Sequence, residues 1–421
     1  LVGSEMCIRD RPKALPTSRP CSARGNNMAS TAKYEWPMVR LGDVCSINPV
    51  TKFRTSTANT EISFVSMDAV SVEGKLDYTE KRTVDAVKSG YSRFNQGDVL
   101  LAKITPCFEN GKSAIAEIET SVGAGSTEFH IFRPFADLDS RYLHYFLRTP
   151  ALRAVGEANM RGSSGHRRVP SWVFANAKIP LPPLDEQRRI AAILDAVDDA
   201  LARVKQSLGD LLQLKQELFT DLFLRMERES TAIGEYLEST QYGTSDKANE
   251  NVGIPVLRMG NVSYNGEIDL SDLKYVELDI KDREKYSLKA GDLLFNRTNS
   301  KDLVGKTAVV PAFPEEYTYA GYLIRCRVND KAVPEYISGY LNSVLGKKIL
   351  RNTAKSIVGM ANINANELKR LPIPKASLDE QQEFASSTSR IEDVESQMKR
   401  QRKLLQELQE SLSARAFQGE L

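Results

Sequence analysis

A regular seam of apolar residues runs through the middle of the chain. Apolar residues recur there at alternating steps of four and three, at Ile190, Leu194, Val197, Leu201, Val204, Leu208 and Leu211. This spacing is typical of a coiled-coil helix, whose single apolar stripe needs a partner helix. Leu214, Leu218 and Leu222 continue the pattern with a shifted phase.

A weaker seam of the same kind occupies the end of the chain. It passes through Phe384, Ile391, Met398, Leu405, Leu408 and Leu412, and polar Glu395 and Arg402 interrupt it. At a rise of about 1.5 Å per residue, roughly 35 residues give a rod of about 50 Å. The sequence therefore predicts an antiparallel pair of helices. Its seam residues would be Leu194, Leu201, Leu208 and Leu211 on one helix and Ile391, Met398, Leu405 and Leu412 on the other.

The segments that precede the two helices alternate short apolar runs with glycine turns, which is typical of strands. The predicted strands are 62–67, 99–104, 113–118 and 129–132 in the first half, and 254–259, 293–296, 307–310 and 323–328 in the second. A short amphipathic helix follows in each half, at 141–147 and at 335–341. Each globular part is thus expected to be α+β, with a compact sheet and few helices.

The two halves are copies of one another. Gly97-Asp98 returns as Gly291-Asp292, and Leu184-Asp185-Glu186-Gln187 returns as Leu378-Asp379-Glu380-Gln381, both 194 positions later. This period is far longer than a solenoid unit of roughly 20–50 residues. We predict an α+β chain with an internal pseudo-two-fold repeat. Its domains are a leader (1–27), a first globular domain (28–183), a first spacer helix (184–229), a second globular domain (230–377) and a second spacer helix (378–421).

The leader lies outside the repeat and is rich in Arg, Pro and Ser. Two interpretations remain open. Its few acidic residues are compatible with a transit peptide, whereas a start at Met28 would make it upstream sequence translated by mistake. We favour the second and expect these residues to be non-native or disordered.

The five cysteines, Cys7, Cys21, Cys45, Cys107 and Cys326, are not repeated between the halves. This argues against a disulfide framework and against a cysteine-based zinc site. Apolar runs fall short of the roughly 20 residues that span a bilayer. We expect a cytoplasmic protein without a membrane partner.

Catalytic motifs are missing from the sequence. Gly111-Lys112-Ser113 and Gly305-Lys306-Thr307 suggest a phosphate loop, but the glycine required five positions earlier is Pro106 or Ser300. Asn48-Pro49 resembles the start of an amino-methyltransferase motif that Val50 then breaks. His130, His144 and His166 have neither a counterpart in the other half nor the spacing of ligands. We therefore expect a binding protein without catalytic, cofactor-binding or metal-binding residues.

Basic residues are concentrated at the same phase of each repeat. Between 148 and 178 there are six against Glu157, and between 341 and 375 there are seven against Glu367. A matched pair of basic strips indicates two phosphate-binding surfaces. The residues predicted to bind DNA are Arg161, Arg167, Arg168, Lys178, Lys347, Lys348, Arg351 and Lys355.

The strips differ in detail, since Gly165-His166-Arg167-Arg168 stands opposite Gly359-Met360-Ala361-Asn362. If both halves recognise DNA sequence, they are expected to recognise different base sequences.

Together these features resemble the specificity subunit of type I restriction-modification systems. The resemblance rests on the two proline-rich joints with Leu-Asp-Glu-Gln, on the paired Gly-Asp motifs and on the ending Ala416-Phe417-Gln418-Gly419-Glu420-Leu421, and it runs from about Trp36 to Leu421. It implies two target recognition domains, each reading one half of a bipartite site in double-stranded DNA, separated by a two-helix coiled coil.

The resemblance also implies partners. The helices would dock methyltransferase (M) subunits, and the complex would recruit restriction (R) translocase-nuclease subunits. S-adenosylmethionine, ATP and Mg would then be used by those partners and by no site in this chain. Two alternatives stay open, a coiled-coil scaffold without sequence-specific DNA binding and an unrecognised DNA-modifying enzyme.

Overall fold

The computed structural model of the chain describes residues 36–53, 59–163, 165–225, 227–357 and 359–421. They form two compact units. Unit 1 holds the residues up to Leu194 together with Ser411–Leu421, and unit 2 holds Asp195–Glu410. We call the globular part of unit 1 module 1 (residues 36–183) and that of unit 2 module 2 (residues 227–377). The predicted leader lies outside the described residues.

Module 1 is built on short strands and shorter helices. Its strands are β1 (Met38–Arg40), β2 (Cys45–Ile47), β3 (Glu61–Val65), β4 (Glu80–Thr83), β5 (Ser92–Asn95), β6 (Val99–Ala102), β7 (Ser113–Ile115), β8 (Val122–Gly125), β9 (Phe129–Pro134) and β10 (Lys178–Pro180). Its helices are α1 (Leu41–Val44), α2 (Ser140–Leu147), α3 (Pro150–Ala158) and α4 (Ser171–Asn176), with a 3-10 turn at Asp85–Val87.

Two four-stranded sheets organise module 1. One is antiparallel with the order β2-β9-β6-β7, and the other has the order β4-β3-β8-β5 with β3 and β8 parallel. All four residues of β6 are buried, because apolar side chains cover both faces of that strand. The main core lies between the first sheet and the helices, and it includes Ile190 and Leu194 of the spacer helix that follows.

Module 2 repeats this plan. After the first spacer helix, α5 (Leu184–Phe223), its strands are β11 (Ser230–Ala232), β12 (Leu237–Tyr242), β13 (Ile254–Leu257), β14 (Lys274–Val276), β15 (Leu293–Asn296), β16 (Thr298–Asn299), β17 (Thr307–Val309), β18 (Thr318–Tyr319), β19 (Leu323–Val328), β20 (Lys355–Ile357), β21 (Met360–Asn362) and β22 (Pro372–Pro374). Its helices are α6 (Ile280–Tyr286), α7 (Pro334–Asn342), α8 (Val344–Thr353) and α9 (Ala365–Arg370), with a 3-10 turn at Ile233–Tyr236, and α10 (Leu378–Ala416) follows as the second spacer helix.

The first sheet of module 2 matches that of module 1, and the second, β14-β13-β18, has three strands and keeps the parallel pair. The order β12-β19-β15-β17 corresponds to β2-β9-β6-β7, and the parallel pair β13-β18 corresponds to β3-β8. One buried ion pair repeats as well. Asp98 accepts hydrogen bonds from Arg133, and Asp292 accepts them from Arg327, with Nε–Oδ1 distances of 2.8 and 2.9 Å. The α+β class and the internal repeat are therefore confirmed.

Several short helices were not predicted from the sequence, namely α1, α3, α4, α6, α8 and α9. The longest of them, α8, has 10 residues. Fewer than three turns give too little periodicity to be distinguished from a buried strand or loop.

A buried glutamine anchors the start of each spacer helix. Gln187 Oε1 accepts a hydrogen bond from the Asp139 backbone amide at 2.8 Å, and Gln381 Oε1 accepts one from that of Val333 at 2.9 Å. Each side-chain amide also donates to two backbone carbonyls. The repeated Leu-Asp-Glu-Gln motif is thus the joint that fixes each helix to its module.

Within unit 2 the two spacer helices run antiparallel. Asp198 contacts Gln409, Lys215 contacts Glu392, and Phe219 packs on Phe384 with ring centroids 5.3 Å apart. Along these contacts the residue numbers on α10 fall as those on α5 rise, which is typical of an antiparallel pair of helices. The fold class of two domains with an antiparallel helix pair is confirmed.

The seam residues are placed as follows. Leu194 is fully buried, and the other seven predicted pairing residues are partly buried: Leu201, Leu208, Leu211, Ile391, Met398, Leu405 and Leu412. The inclusion of Leu408 in the seam was wrong, because its side chain is 44% exposed. Steps of four and three from Ile391 lead through Glu395, Met398, Arg402, Leu405 and Gln409. Leu408 therefore lies one position off the stripe. That the predicted residues touch each other pair by pair stays a prediction.

Candidate nucleic-acid interface

The candidate interface of module 1 is a hairpin at residues 161–168, described apart from Ser164, which we call hairpin 1. Arg161 and Arg168 exchange two backbone hydrogen bonds of 2.9 and 2.8 Å that close it. Its base is fixed to the sheet through Lys103, whose amide donates to the Glu128 carbonyl while its carbonyl accepts from the Val169 amide, both at 2.9 Å. Hairpin 1 thus stands on a rigid, hydrogen-bonded frame.

Three arginines of hairpin 1 are held to different degrees. Arg168 donates to both carboxylate oxygens of Glu128 at 2.9 and 2.8 Å and to the His166 carbonyl at 3.0 Å. This pairing raises the pKa of Arg168 and lowers that of Glu128. Arg167 makes a longer contact of 3.4 Å with Glu109. Arg161 lies over the ring of Trp172 at 5.8 Å. Arg168 is therefore an anchor of the hairpin, whereas Arg161 and Arg167 are held by weaker contacts and can reorient toward a ligand.

A buried histidine supports hairpin 1 from behind. His130 Nε2 lies 2.8 Å from the Val169 carbonyl, and its Nδ1 lies 3.1 Å from Asn48 Nδ2. These partners assign the neutral tautomer, in which Nε2–H donates and Nδ1 accepts. Burial lowers the pKa of His130 to about 4. His130 is a positioning residue of the frame.

Module 2 carries the equivalent hairpin, β20–β21 at residues 355–362, which we call hairpin 2. The Arg297 amide donates to the Tyr322 carbonyl at 3.0 Å, and the Ile363 amide donates to the Arg297 carbonyl at 2.9 Å. These residues are those of module 1 shifted by 194 positions. Gly165 and Gly359 both have φ of +80°, a left-handed conformation that favours glycine at the turn.

The side chains of hairpin 2 differ from those of hairpin 1. Asn362 Nδ2 donates to Thr298 Oγ1 at 2.7 Å, and Asn299 Nδ2 donates to Asn296 Oδ1 at 3.0 Å. Lys355 pairs with Glu367 at 2.7 Å, which lowers the pKa of that carboxyl. Its cationic end remains largely exposed. The three arginines of hairpin 1 are thus replaced by Lys355, Ala361 and Asn362 in hairpin 2.

The other basic residues predicted to bind DNA lie on neighbouring elements. Lys348 and Arg351 are exposed on α8, and Arg351 contacts Asp302 at 3.4 Å. Lys178 is exposed at the start of β10, opposite Arg40 of β1, and so is on a different element from hairpin 1.

Lys347 is buried, which argues against a phosphate contact by this residue. Its Nζ donates to Asn342 Oδ1 at 3.0 Å and lies 4.6 Å from the ring centroid of Tyr264. Burial lowers the pKa of Lys347 to about 8. The basic run therefore has one residue turned inward.

The two lysines of the phosphate-loop-like motifs are structural. Lys112 Nζ donates to the Met67 carbonyl at 3.1 Å, and Lys306 Nζ donates to the Met259 carbonyl at 2.8 Å. Across the part of the chain that the structure describes, no three His, Cys, Asp or Glu side chains gather so that they could hold a metal ion. Among the same residues, no helix combines the length and apolar character that a membrane crossing requires.

Sequence reasoning missed the residues that flank the hairpins, above all Glu109, Glu128 and Trp172. A search for basic residues passes over carboxylates that orient an arginine. The signal that could have found them is the 194-residue offset, because Glu109 and Glu128 stand opposite the uncharged Leu303 and Tyr322. Residues of different chemistry at positions 194 apart therefore identify the surface on which the two modules differ.

Two copies of one α+β module, each bearing an exposed hairpin and each followed by a long helix, define a duplicated protein. Residues 33–211 and 228–409 match the family model described as "Type I restriction modification DNA specificity domain". The chain belongs to this family.

Similar proteins include the EcoAI and EcoEI specificity subunits of Escherichia coli. EcoAI is 38% identical over 208 residues, which cover 48% of this chain and 33% of that protein. EcoEI is 35% identical over 201 residues, which cover 47% of this chain and 33% of that protein. These matches thus span about a third of either relative. The EcoKI specificity subunit of Escherichia coli (strain K12) is 27% identical over 337 residues, covering 74% of this chain and 72% of that protein.

Two solved structures share the fold. A chain from a study of assembly and conformational transition of the type I R-M system has a TM-score of 0.59 and 20% identity, covering 92% of this chain and 98% of its own. The type I restriction-modification system S subunit from M. genitalium has a TM-score of 0.57 and 13% identity, covering 91% and 96%.

Proposed function

We propose that this chain is the DNA-specificity subunit of a type I restriction-modification complex, in which each module reads one part of a bipartite site in double-stranded DNA. The observation that carries the proposal is the pair of hairpins. Both stand on the same hydrogen-bonded frame, yet their exposed side chains differ. Phosphate contacts position a protein on DNA, whereas base contacts specify the sequence. Two modules that recognise different sequences therefore need the same backbone frame with different exposed side chains.

The exposed side chains on the hairpins suit this task. Arg161, Arg167 and Lys355 present cationic groups next to polar or aromatic residues. Such groups release counterions from the DNA backbone and so give binding that weakens with salt. Arg168 contributes by holding hairpin 1 in place through Glu128.

The spacer helices are the proposed docking surface for methyltransferase subunits. Leu214 on α5 and Val394, Leu404 and Leu408 on α10 are each at least 40% exposed. Exposed apolar residues along a helix pair favour contacts with further helices. Methyl transfer, ATP hydrolysis and cleavage, with S-adenosylmethionine, ATP and Mg, are assigned to the methyltransferase and restriction subunits and not to this chain.

The test is a DNA-binding titration of the full chain against a pool of random duplexes at several salt concentrations. We expect enrichment of one bipartite sequence and a steep fall of affinity with salt. Methyl transfer from S-adenosylmethionine is expected only after a methyltransferase subunit is added.

Each alternative function has its own outcome in these assays. A scaffold protein would leave the duplex pool unenriched at every salt concentration. An unrecognised enzyme would methylate or cut DNA as the contaminant-free chain alone. Either result would contradict the proposal.

A further inference from the structure

The two hairpins stand on matching backbone and share a basic residue at one position, Arg161 or Lys355, but five other positions differ in side-chain chemistry. Module 1 has Glu109, Glu128 and His166 around Arg167 and Arg168. The positions 194 residues later hold mostly apolar residues and one amide: Leu303, Tyr322, Met360, Ala361 and Asn362. Ionic groups in one copy are therefore replaced, position by position, in the other.

The frame places these residues beside the hairpins in both modules. In module 1 the carboxylates of Glu109 and Glu128 reach the arginines of hairpin 1 at 3.4 and 2.8 Å. In module 2 Tyr322 holds the place of Glu128, because its carbonyl accepts from the Arg297 amide as that of Glu128 accepts from Lys103, and Leu303 is equivalent to Glu109 by the 194-residue offset. Leu303, Tyr322 and Met360 are 40%, 52% and 43% exposed. Leu303 and Tyr322 thus hold the positions at which module 1 has Glu109 and Glu128, and Met360 lies on hairpin 2 itself.

The edges of the bases in the DNA major groove distinguish these two chemistries. Arginine donates to N7 and O6 of guanine, asparagine pairs with N6 and N7 of adenine, and apolar side chains contact the C5-methyl group of thymine. The Asn362 amide donates one N–H to Thr298 Oγ1, which fixes its orientation. Its second N–H and its oxygen match the acceptor N7 and the donor N6 of adenine.

We propose that the two hairpins read different base pairs. Hairpin 2 reads an A·T pair, with Asn362 on the adenine and Leu303, Tyr322 and Met360 against the thymine methyl group. Hairpin 1 reads a G·C pair, with Arg167 on the guanine. This inference rests on the proposed function, and it adds the chemical class of base that each module recognises.

The experiment begins with the sequence that the full chain enriches from the random duplex pool. Each thymine of that sequence is replaced in turn by uracil, which lacks only the methyl group. Each guanine is replaced in turn by 7-deazaguanine, which lacks only the N7 acceptor. In one part of the site, uracil is expected to weaken binding roughly fourfold, as for one buried methyl group. In the other part, 7-deazaguanine is expected to weaken it roughly ten- to hundredfold, as for one hydrogen bond to a charged donor.

Matched variants assign each effect to a module. The triple variant Leu303→Ala, Tyr322→Ala, Met360→Ala should bind the thymine and uracil duplexes equally and keep its response to 7-deazaguanine. Arg167→Ala should show the reverse pattern. Ile280→Ala removes an exposed apolar side chain from α6, outside hairpin 2, and should keep both responses. Thermal melting confirms that each variant is folded.

The outcomes separate this inference from the proposed function. If no sequence is enriched, DNA reading itself is refuted, and the base assignment is refuted with it. If a bipartite sequence is enriched but uracil has no effect in either part, DNA reading stands and the assignment of hairpin 2 is overturned. Persistence of the uracil effect in the Leu303, Tyr322, Met360 triple variant overturns it equally.

Discussion

The ring of Phe223, the last residue of α5, lies 4.8 Å from the ring of Tyr336 in module 2. The equivalent pair in unit 1 is Phe417, 194 positions after Phe223, and Tyr142, 194 positions before Tyr336, with ring centroids 5.1 Å apart. Each tyrosine hydroxyl donates to a backbone carbonyl in the proline-rich joint, that of Pro374 or Pro180. Each unit is therefore completed by the start of one spacer helix and the end of the other.

Replacing Phe223 by alanine is expected to destabilise unit 2 by about 3–5 kcal/mol, because it opens a cavity in a fully buried aromatic cluster. Phe223 is 1% exposed and also contacts Phe219 and Phe384. Urea unfolding monitored by circular dichroism measures the change. Leu214→Ala, at a 48% exposed site on the same helix, should shift stability by less than about 0.5 kcal/mol. Equal midpoints for the two variants would show that the cluster does not stabilise the fold.

Arg167→Ala is expected to weaken DNA binding and to reduce the slope of log affinity against log salt by about one unit. Arg203→Ala, which removes an exposed arginine from α5, should leave that slope unchanged. Salt titrations of fluorescently labelled duplex measure both variants. Unchanged affinity together with an unchanged slope for Arg167→Ala would place hairpin 1 away from the DNA.

Acid is expected to destabilise unit 1 at a pH where its carboxylates are still charged. Burial lowers the pKa of His130 to about 4 and that of His144 to about 3, from an ordinary value near 6.5. The unfolded chain therefore binds protons more readily than the folded one, and stability is lost as pH falls from about 6.5 toward 4. For His130 alone the loss at pH 5 is about 2 kcal/mol.

Hydrogen exchange of unit 1 amides at pH 7 and pH 5, corrected for intrinsic rates, measures this effect. His130→Gln should reduce the pH dependence, because glutamine stays neutral throughout this range. In unit 2, Glu380 has its pKa lowered to about 2 by Arg228, so its contribution is lost only as pH falls below about 4.5. Equal acid sensitivity of the two units between pH 7 and 5 would speak against the histidine explanation.

Lengthening both spacer helices is expected to lengthen the gap between the two half-sites. Seven residues inserted after Val204 in α5 and after Arg402 in α10 keep the seam in phase and add about 10 Å. The variant should select the same two half-sites with a gap longer by roughly three base pairs, at about 3.4 Å each. Enrichment from the random duplex pool gives the gap directly. An unaltered gap would show that the helices do not set the spacing.

The long elements of this fold could be predicted from the sequence because their signals are periodic. The heptad steps from Ile190 to Leu211 predict α5, and the offset between Gly97 and Gly291 predicts the repeat. Leu408 shows the limit of this reasoning. Apolar character alone placed it in the seam, whereas the stripe continues through Gln409, whose side chain bonds Asp198 on the other helix.

The candidate interface could be predicted only as a region. A run of basic residues indicates a phosphate-binding surface, but the direction of each side chain depends on residues far away in sequence. Lys347 points inward because its Nζ donates to Asn342 and lies over the ring of Tyr264. Arg168 becomes an anchor because Glu128, 40 residues earlier, meets its guanidinium group. These relationships exist only once the strands are paired.

The composition of unit 1 has a consequence for how the protein is made. Its core includes Ala416, with Leu412, Phe417 and Leu421 packed against it, although the rest of that core is encoded before residue 195. Once module 1 has emerged from the ribosome, all of unit 2 must therefore be synthesised before Ser411–Leu421 emerges. Until then the apolar surface around Tyr142 and Phe146 stays uncovered, as a binding site for chaperones or a starting point for aggregation. Synthesis of unit 1 therefore begins before that of unit 2 and ends after it.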